Sequence, residues 1–189
     1  MDFVNRLLQS PFLWNISQFI FGANAQKRKL FMGLIPNGRI LDFGCANGNL
    51  FPAFYDFDYY GVDIDEKLIE DARKKYGTYK NARFVCADIL KRPFPEDFFD
   101  SVLFSTSGHH IDDKTLYEIM RALERVLKTG GKLYYFDTIH EPGRDSAFLK
   151  FLLRLDRGKY MRDEKIYRSM IYRFSDSLKP LDIKVSRIS

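Results

Sequence analysis

The chain has 189 residues, of which 46% are hydrophobic and 16% aromatic, enough for one domain with a sizeable core. No apolar run approaches the roughly 20 residues of a membrane-spanning helix, so we expect a cytoplasmic protein without a membrane span. The net charge of +5 comes from basic residues interspersed with acids, which favours solvated helical faces over a nucleic-acid partner. The 2 cysteines lack CxxC spacing and indicate reduced packing residues.

The first 33 residues carry apolar side chains at spacings of three and four, which is the period of a helix. Ser10 and Pro11 interrupt this pattern and form a good N-cap and first-turn pair. The pattern predicts two or three helices before the first strand.

From Arg39 onward, predicted strands and helices alternate. The strands are predicted near 39–43, 59–63, 82–86, 100–105, 131–137 and 181–187. The helices are predicted at about 48–55, 66–76, 113–128, 146–156 and 163–177. Near-continuous apolar strands in such an alternation favour a parallel sheet that is covered on both faces. Ligands of these sheets bind beyond the carboxyl ends of the strands.

A glycine-containing turn follows the first predicted strand and has the form Asp42-x-Gly44-x-x-x-Gly48. Its glycines allow the backbone to approach a ligand closely. A dinucleotide-binding loop would have glycine at the position of Ala46. In a P-loop, Lys and then Ser or Thr would follow the last glycine, whereas Asn49 and Leu50 follow Gly48 here. The turn therefore indicates a nucleotide-type ligand of another kind.

Further polar residues follow the next strands in order. Asp63 ends the second strand, at the distance where open α/β folds place a carboxylate for ribose hydroxyls. Asp88 follows the third strand, and the stretch Ser105 to His110 follows the fourth. A Leu-Lys-Thr-Gly-Gly turn, residues 127–131, precedes the fifth.

This ordered set over residues 39–139 resembles the class I S-adenosylmethionine (SAM) methyltransferases, in particular the small-molecule, UbiE-like group. The resemblance implies an α/β fold, a doubly wound Rossmann-like αβα sandwich with a mostly parallel sheet. It implies a single domain over 1–189, with a helical lid at 1–36, a cofactor core at 37–139 and substrate-side helices with the last strand at 140–189. The family's sheet ends with a sixth strand and an antiparallel seventh, whereas only 181–187 remains here. We therefore expect a sheet without its last strand, with an unpaired edge as a candidate dimer surface.

The resemblance also implies a cofactor site for SAM and its product S-adenosylhomocysteine (SAH). The turn after the first strand would hold the methionine end, Asp63 the ribose, and Asp88 the adenine amino group, with Ile64 against the adenine ring. The complete set of expected cofactor-binding residues is Asp42, Gly44, Cys45, Gly48, Asp63, Ile64, Asp88, Ile89 and Ser105.

Histidines are the candidates for taking a proton from the methyl acceptor, because the pKa of imidazole suits a general base near neutral pH. His109 and His110 follow the fourth predicted strand, and His140 follows the fifth. Neighbouring side chains in a turn point apart, so at most one of His109 and His110 is expected to face the substrate. A structural hydrogen bond is the alternative for each histidine. No metal-ligand spacing is present, and no metal is expected.

The acceptor is expected to be a small molecule. Enzymes that methylate nucleobase amines carry (N/D)PP(Y/F) where this chain has residues 105–108, Ser-Thr-Ser-Gly. Trp14 and Phe19 either line a substrate pocket under the lid or pack the lid on the body. A stretch of the form DRGxxxR, which resembles one in bacterial glycan and secondary-metabolite methyltransferases, contains Arg157 and Arg162. Both arginines are expected to bind an anionic or hydroxylated substrate through the guanidinium fork. For Arg157, pairing with an acid on a surface turn is the alternative.

The sequence thus predicts a methyltransferase that moves the methyl of SAM to an oxygen, nitrogen or carbon nucleophile of a small molecule, as a monomer or homodimer. An RNA or protein methyltransferase is one alternative, favoured by the basic segment from Arg154 to Arg173. A SAM-binding module without transfer activity is the other.

Overall fold

The computed structural model describes residue 29, residues 31–137, residue 160 and residues 162–174. The strands are β1 (Arg39–Phe43), β2 (Asp58–Asp63), β3 (Ala82–Cys86), β4 (Phe99–Ser105) and β5 (Leu127–Phe136). The α-helices are α1 (Glu66–Tyr76), α2 (Asp113–Val126) and α3 (Glu164–Phe174). Residues 31–34 are also helical.

The strands form one parallel sheet in the order β3-β2-β1-β4-β5. Leu41 in the central strand is level with Tyr60 of β2 and with Val102 of β4. The chain adds β2 and β3 on one side of β1 and then returns to add β4 and β5 on the other. The winding direction therefore reverses between β1 and β4, and this reversal opens a crevice at the carboxyl ends of these strands.

Each face of the sheet is covered by its own apolar core, because successive strand side chains point to opposite faces. On one face, Leu41 and Val102 pack in a cluster with the buried side of α2. On the other, Ile40 and Leu103 pack in a cluster with Ile69 of α1. These layers confirm the predicted doubly wound αβα sandwich.

The predicted limits of β1 to β4 agree with the structure to within one residue, and those of β5 do not. That strand begins at Leu127, not near 131, because Leu127 already pairs with Phe99. Pairing continues at Ser101 and Lys132 after a register shift, and Gly130 lies at φ 81° in the irregular stretch. The helix predicted to reach residue 128 accordingly ends at Val126.

The predicted helix at 48–55 is wrong. The structure has one turn of 3₁₀ helix, Phe51–Ala53, in its place. Gly48 adopts φ 74°, outside the helical region, and β2 begins at Asp58. Phe51 and Phe54 are both fully buried in the core. The short connection is thus stabilised by aromatic packing and leaves no room for a longer helix.

Aspartate N-caps fix the start of the first two helices. The Asp65 carboxylate accepts hydrogen bonds from the amides of Lys67 and Leu68, 2.9 and 3.3 Å away. Asp112 accepts from the amides of Lys114 and Thr115 in the same way. These caps satisfy amides that have no partner inside the helix. The prediction of helices at 66–76 and 113–128 is confirmed, with α2 two residues shorter.

The predicted helix at 163–177 corresponds to α3, which spans Glu164–Phe174. The other predicted elements lie outside the described residues: most of the amino-terminal helices, the helix at 146–156 and the strand at 181–187. In the ranges that the structure describes, no helix combines the length and apolar content needed to cross a bilayer.

Candidate active site

The turn after β1 has an unusual backbone conformation. Gly44, Ala46 and Gly48 have φ angles of 72°, 48° and 74°, a region in which a side chain crowds its own backbone. The amides of Gly44 and Cys45 both donate to the carbonyl oxygen of Val62, 2.9 and 3.2 Å away. The turn is therefore fastened to the carboxyl end of β2. Ala46 tolerates a conformation that costs about 1–2 kcal/mol for a residue other than glycine.

The two glycines of the turn also leave no space for a side chain. A Cβ at Gly44 would lie 2.6 Å from the Ser107 hydroxyl oxygen, just past β4. A Cβ at Gly48 would lie 2.8 Å from the ring of Phe84. The loop therefore packs directly against the elements on either side.

Asp63 lies at the end of β2 and bridges two loops. One carboxylate oxygen accepts from the Ala46 amide at 2.9 Å, and the other accepts from the Asp65 amide at 3.0 Å. A carboxylate has about four lone-pair sites, and the Asp63 side chain is only partly buried. It therefore keeps the capacity to accept further hydrogen bonds from a ligand.

Asp42 lies beneath the turn, at 1% exposure. Its carboxylate accepts a hydrogen bond from the Tyr59 hydroxyl at 2.5 Å. Burial, together with the Asp42 charge, raises the pKa of Tyr59 well above its usual value. The phenol thus remains a donor, and the pair supports the turn from below.

Cys45 is buried as well, and its sulfur lies where a Cβ at Gly61 would have to fit. Burial, reinforced by the charges of Asp42 and Asp63, raises the pKa of the Cys45 thiol well above its usual value. The thiol therefore stays protonated at neutral pH and acts as packing, while its backbone belongs to the loop.

The expected adenine-side residues surround the ends of β2 and β3. The Asp88 carboxylate accepts from the amide of Leu90 at 3.0 Å and caps a short 3₁₀ helix, Ile89–Lys91. The Ile89 side chain is 2% exposed and belongs to the core. Ile64 is 76% exposed, although it is a large apolar residue. Of these residues, Ile64 offers the apolar surface that is available to a ligand.

Ser105 ends β4 at 5% exposure, and among the described residues its hydroxyl oxygen has no hydrogen-bond partner. Thr106 follows at φ 53°, a strained angle for a branched residue. Its amide donates to the carbonyl of Phe136 at 2.8 Å. The ends of β4 and β5 are thereby joined.

His109 and His110 lie on a one-turn 3₁₀ helix, Gly108–His110, past β4. His109 is 2% exposed, and its Nδ1 is 2.5 Å from an Asp137 carboxylate oxygen. His110 is exposed. The two rings nevertheless pack at a centroid distance of 4.3 Å, so the expectation that neighbouring side chains point apart is wrong for this pair.

Two tyrosines surround the Asp137 carboxylate. The Tyr135 hydroxyl donates to its second oxygen at 2.9 Å. The ring of Tyr167, on α3, packs against Tyr135 at 5.8 Å between centroids. Burial and the Asp137 charge raise the pKa of both tyrosines. Both phenols therefore stay neutral in the physiological range.

Arg162 is 3% exposed, and its guanidinium is surrounded by acceptors from the β4–α2 connection. It donates to the carbonyl oxygens of Gly108 and Ile111 and to the Asp113 carboxylate. It also donates to the carbonyl of Tyr160. This arrangement favours a structural role over the substrate contact that the sequence suggested for Arg162.

Four of the predicted site residues, Trp14, Phe19, His140 and Arg157, lie outside the described residues, so their roles stay predictions. Sequence reasoning missed Tyr59 as the partner of Asp42 and the left-handed Ala46. It did not predict Asp137 as the partner of His109 either. The Asp42–Tyr59 pair has no local sequence signal, because it joins residues 17 positions apart.

Comparison with known proteins identifies the family. A sequence model described as "Methyltransferase domain" matches residues 41–135, which is half of the chain and contains β1 to β5 almost completely.

Individual relatives act on chemically different acceptors. The chain is 33% identical over 123 residues to 27-O-demethylrifamycin SV methyltransferase of Amycolatopsis mediterranei, covering 58% of this chain and 43% of that protein. It is 30% identical over 109 residues to the ubiquinone/menaquinone biosynthesis C-methyltransferase UbiE of Proteus mirabilis, covering 53% and 43%. The chain thus spans less than half the length of these curated relatives.

Solved structures share the fold. Phosphoethanolamine N-methyltransferase 2 of Haemonchus contortus, in complex with SAM, superposes with a TM-score of 0.69 at 20% identity, covering 91% of this chain and 43% of that one. At this identity the similarity concerns the fold alone. The family match over residues 41–135 carries the assignment, and the chain belongs to the methyltransferase domain family.

Proposed function

We propose that the chain is a SAM-dependent methyltransferase with a small-molecule acceptor. The observation that carries the proposal is the row of groups at the carboxyl ends of adjacent strands: the Gly44 turn after β1, Asp63 after β2 and Asp88 after β3. Membership of the methyltransferase domain family supports it independently.

The shape of the turn fits the methionine end of SAM. At Gly44 and Gly48 a Cβ would collide with Ser107 and Phe84, so the backbone of the turn packs directly against the neighbouring elements. SAM has no phosphate, and its amino-acid end carries an ammonium as well as a carboxylate. The partly buried Asp63 carboxylate beside the turn suits the ammonium of that end.

The residues proposed to bind the ribose and the adenine of SAM lie at the ends of β2 and β3. Asp63 accepts hydrogen bonds from two backbone amides. Its remaining lone pairs would accept hydrogen bonds from the ribose hydroxyls. Asp88 would accept the adenine amino group, and the exposed Ile64 would lie against the ring. In this proposal Asp42, Cys45 and Ile89 support the site from within the core, and Ser105 borders it at the end of β4.

The chemistry requires position more than it requires an electrophile from the protein. When bound, SAM supplies a methyl on a sulfonium, which a nucleophile takes by in-line displacement while the sulfur becomes a neutral thioether. Orientation of this kind is worth about 7–11 kcal/mol of the barrier. The chain's task is to hold the acceptor in line and to remove its proton where the nucleophile carries one.

His109 is the best supported candidate for that proton transfer. Its contact with Asp137 at 2.5 Å is of the kind that orients an imidazole and stabilises its protonated form. His110 is exposed beside it, and His140 remains a further candidate. A general base contributes about 10²–10⁴-fold to the rate.

A small-molecule acceptor is favoured by the absence of an (N/D)PP(Y/F) motif at residues 105–108. The relatives named above act on oxygen, carbon and nitrogen, so the acceptor atom stays open. A nucleic-acid acceptor has weaker support, because Arg162 and Arg168 of the basic segment are both paired with acids. We expect a monomer or a homodimer.

The test is transfer of a labelled methyl from SAM by the full chain. Three probe acceptors cover the nucleophile types: 27-O-demethylrifamycin SV, a hydroquinone and phosphoethanolamine. Label in one product, reduced in Asp63→Ala at a SAM concentration below the wild-type Kd, supports the proposal. SAH binding with label transferred only to RNA or protein would favour the first alternative. Binding without transfer to any acceptor would favour a SAM-binding module.

A further inference from the structure

Arg162 has every N–H of its guanidinium assigned to an acceptor. Nε and Nη2 both donate to one Asp113 oxygen, at 2.9 and 2.6 Å. Nη2 also donates to the Ile111 carbonyl at 2.7 Å, and Nη1 donates to the carbonyls of Gly108 and Tyr160 at 2.9 and 3.0 Å. Five N–H groups therefore have five contacts, which is the full capacity of the side chain.

The acceptors of Arg162 lie on both sides of His109. Gly108 is the first residue of the single turn that carries this histidine, and Ile111 directly follows that turn. The Tyr160 amide donates back to the carbonyl of His109 itself at 3.0 Å. Tyr160 and Arg162 are thus bonded to the His109 turn in both directions.

The same turn borders the proposed cofactor crevice. Ser107 precedes it, and its hydroxyl occupies the space where a Cβ of Gly44 would stand. A side chain at Gly108 would collide with the Tyr135 hydroxyl and the Asp137 carboxylate. A shift of the turn would therefore move His109 relative to both Asp137 and the glycine loop.

We propose that Arg162 is a positioning residue, which holds the Gly108–His110 turn so that His109 remains paired with Asp137 beside the crevice. The proposal rests on the proposed function for its relevance to catalysis. A lysine cannot replace Arg162, because an ammonium has three donors and lacks the planar fork that reaches Asp113 and the carbonyls together.

The experiment observes His109 directly in the full chain by nuclear magnetic resonance with ring-labelled histidine. The chain has 3 histidines, so single substitutions such as His109→Gln assign the signals. Arg162→Gln and Arg162→Lys are expected to shift or broaden the His109 signal by more than its linewidth. Arg168→Gln is the matched control, since Arg168 pairs with Glu164 within α3, which begins two residues after Arg162, and it should leave the signal unchanged.

A milder variant keeps the test valid if Arg162→Gln does not fold. The Asp113 side chain is 75% exposed, so Asp113→Asn removes the charge partner of Arg162 at little risk to the core. It is expected to move the His109 signal in the same direction. Signals that superpose on wild type in Asp113→Asn and in a folded Arg162 variant would overturn the proposal. Calorimetry with SAH tests the proposed function separately, because its failure leaves the His109 signal readable.

Discussion

The two halves of the crevice are built from different kinds of contact. Beyond β1, β2 and β3, the proposed cofactor half is shaped mainly by backbone geometry and by the carboxylates of Asp63 and Asp88: the amides of residues 44–46 bind Val62 and Asp63 within the protein. Beyond β4 and β5, the proposed acceptor half consists of buried side chains, with the His109–Asp137 pair at its centre and Arg162 bonded to the turn that carries His109. A backbone-built site tolerates variation in most side chains, whereas a site built from side chains depends on each one.

This difference predicts which changes affect binding and which affect turnover. The largest effect is expected in the acceptor half. Because His109 is the proposed base, His109→Ala should lower turnover of the acceptor found in the screen at least about 100-fold. Asp137→Asn should lower it through loss of the charged partner. Calorimetry should find SAH affinity within about twofold of wild type in both variants.

His110→Ala is the matched control for these variants, because His110 is the exposed neighbour and should keep most of the turnover. A rate close to wild type in His109→Ala would mean that His109 has a purely structural role. A large loss of turnover in His110→Ala would identify His110 as the base instead.

The next effect concerns the cofactor half. Gly44→Ala places a Cβ 2.6 Å from the Ser107 hydroxyl at φ 72°. The loop must move, so SAH affinity should fall at least about 30-fold, equivalent to roughly 2 kcal/mol. Gly130→Ala is the control, because it has φ 81° but no heavy atom within 4 Å of the new Cβ. It should cost stability and leave SAH affinity unchanged. Equal affinities in wild type and Gly44→Ala would contradict close packing of the loop.

A smaller effect is expected from the support beneath the turn. Tyr59→Phe removes the hydroxyl that donates to the buried Asp42 carboxylate. The free energy of unfolding, measured with urea, should fall by about 1–3 kcal/mol. Tyr79→Phe, at an exposed ring, should change it by less than about 0.5 kcal/mol. A Tyr59→Phe chain as stable as wild type would mean that Asp42 does not depend on this bond.

The smallest effect is a pH dependence far from the crevice, at the start of β2. Burial alone would raise the pKa of the Asp58 carboxyl, but hydrogen bonds from Arg39 and Arg83 outweigh it and hold the pKa below its usual value. A lowered folded-state pKa stabilises the protein above the unfolded pKa of about 3.9, and this stabilisation is lost as the pH falls through the folded pKa.

The difference in Tm between wild type and Asp58→Asn should therefore shrink as the pH falls from about 6 to about 3. A difference that stays constant over this range would exclude the Asp58 ion pairs as its source.

The comparison also explains how much the sequence could predict. Apolar runs and glycine spacing are local, so β1 to β4 and the Gly44 turn with Asp63 were predicted at the right residues. The helix at 48–55 was wrong because Phe51 and Phe54 are pulled into a tertiary core, which no local pattern reports. Membership of a methyltransferase family, predicted from ordered motifs, is confirmed by the match over residues 41–135.

The acceptor half could not be assembled from the sequence, because its contacts join distant segments. His109 and Asp137 are 28 positions apart, and Arg162 is 49 from Asp113. A histidine or arginine in a motif looks the same whether it faces a ligand or the protein. Only the fold distinguishes these cases, as it does for Arg162 with all of its donors occupied.

The most direct measurement is calorimetry of SAH binding to wild type, Asp63→Ala and Asp65→Ala. Wild type should bind with roughly micromolar affinity, and loss of Asp63 should weaken binding at least about tenfold, or 1.4 kcal/mol. Asp65→Ala removes only the N-cap of α1 and should bind as wild type does. Unchanged affinity in a folded Asp63→Ala chain, or no binding by folded wild type, would contradict a cofactor site at the ends of β1 to β3.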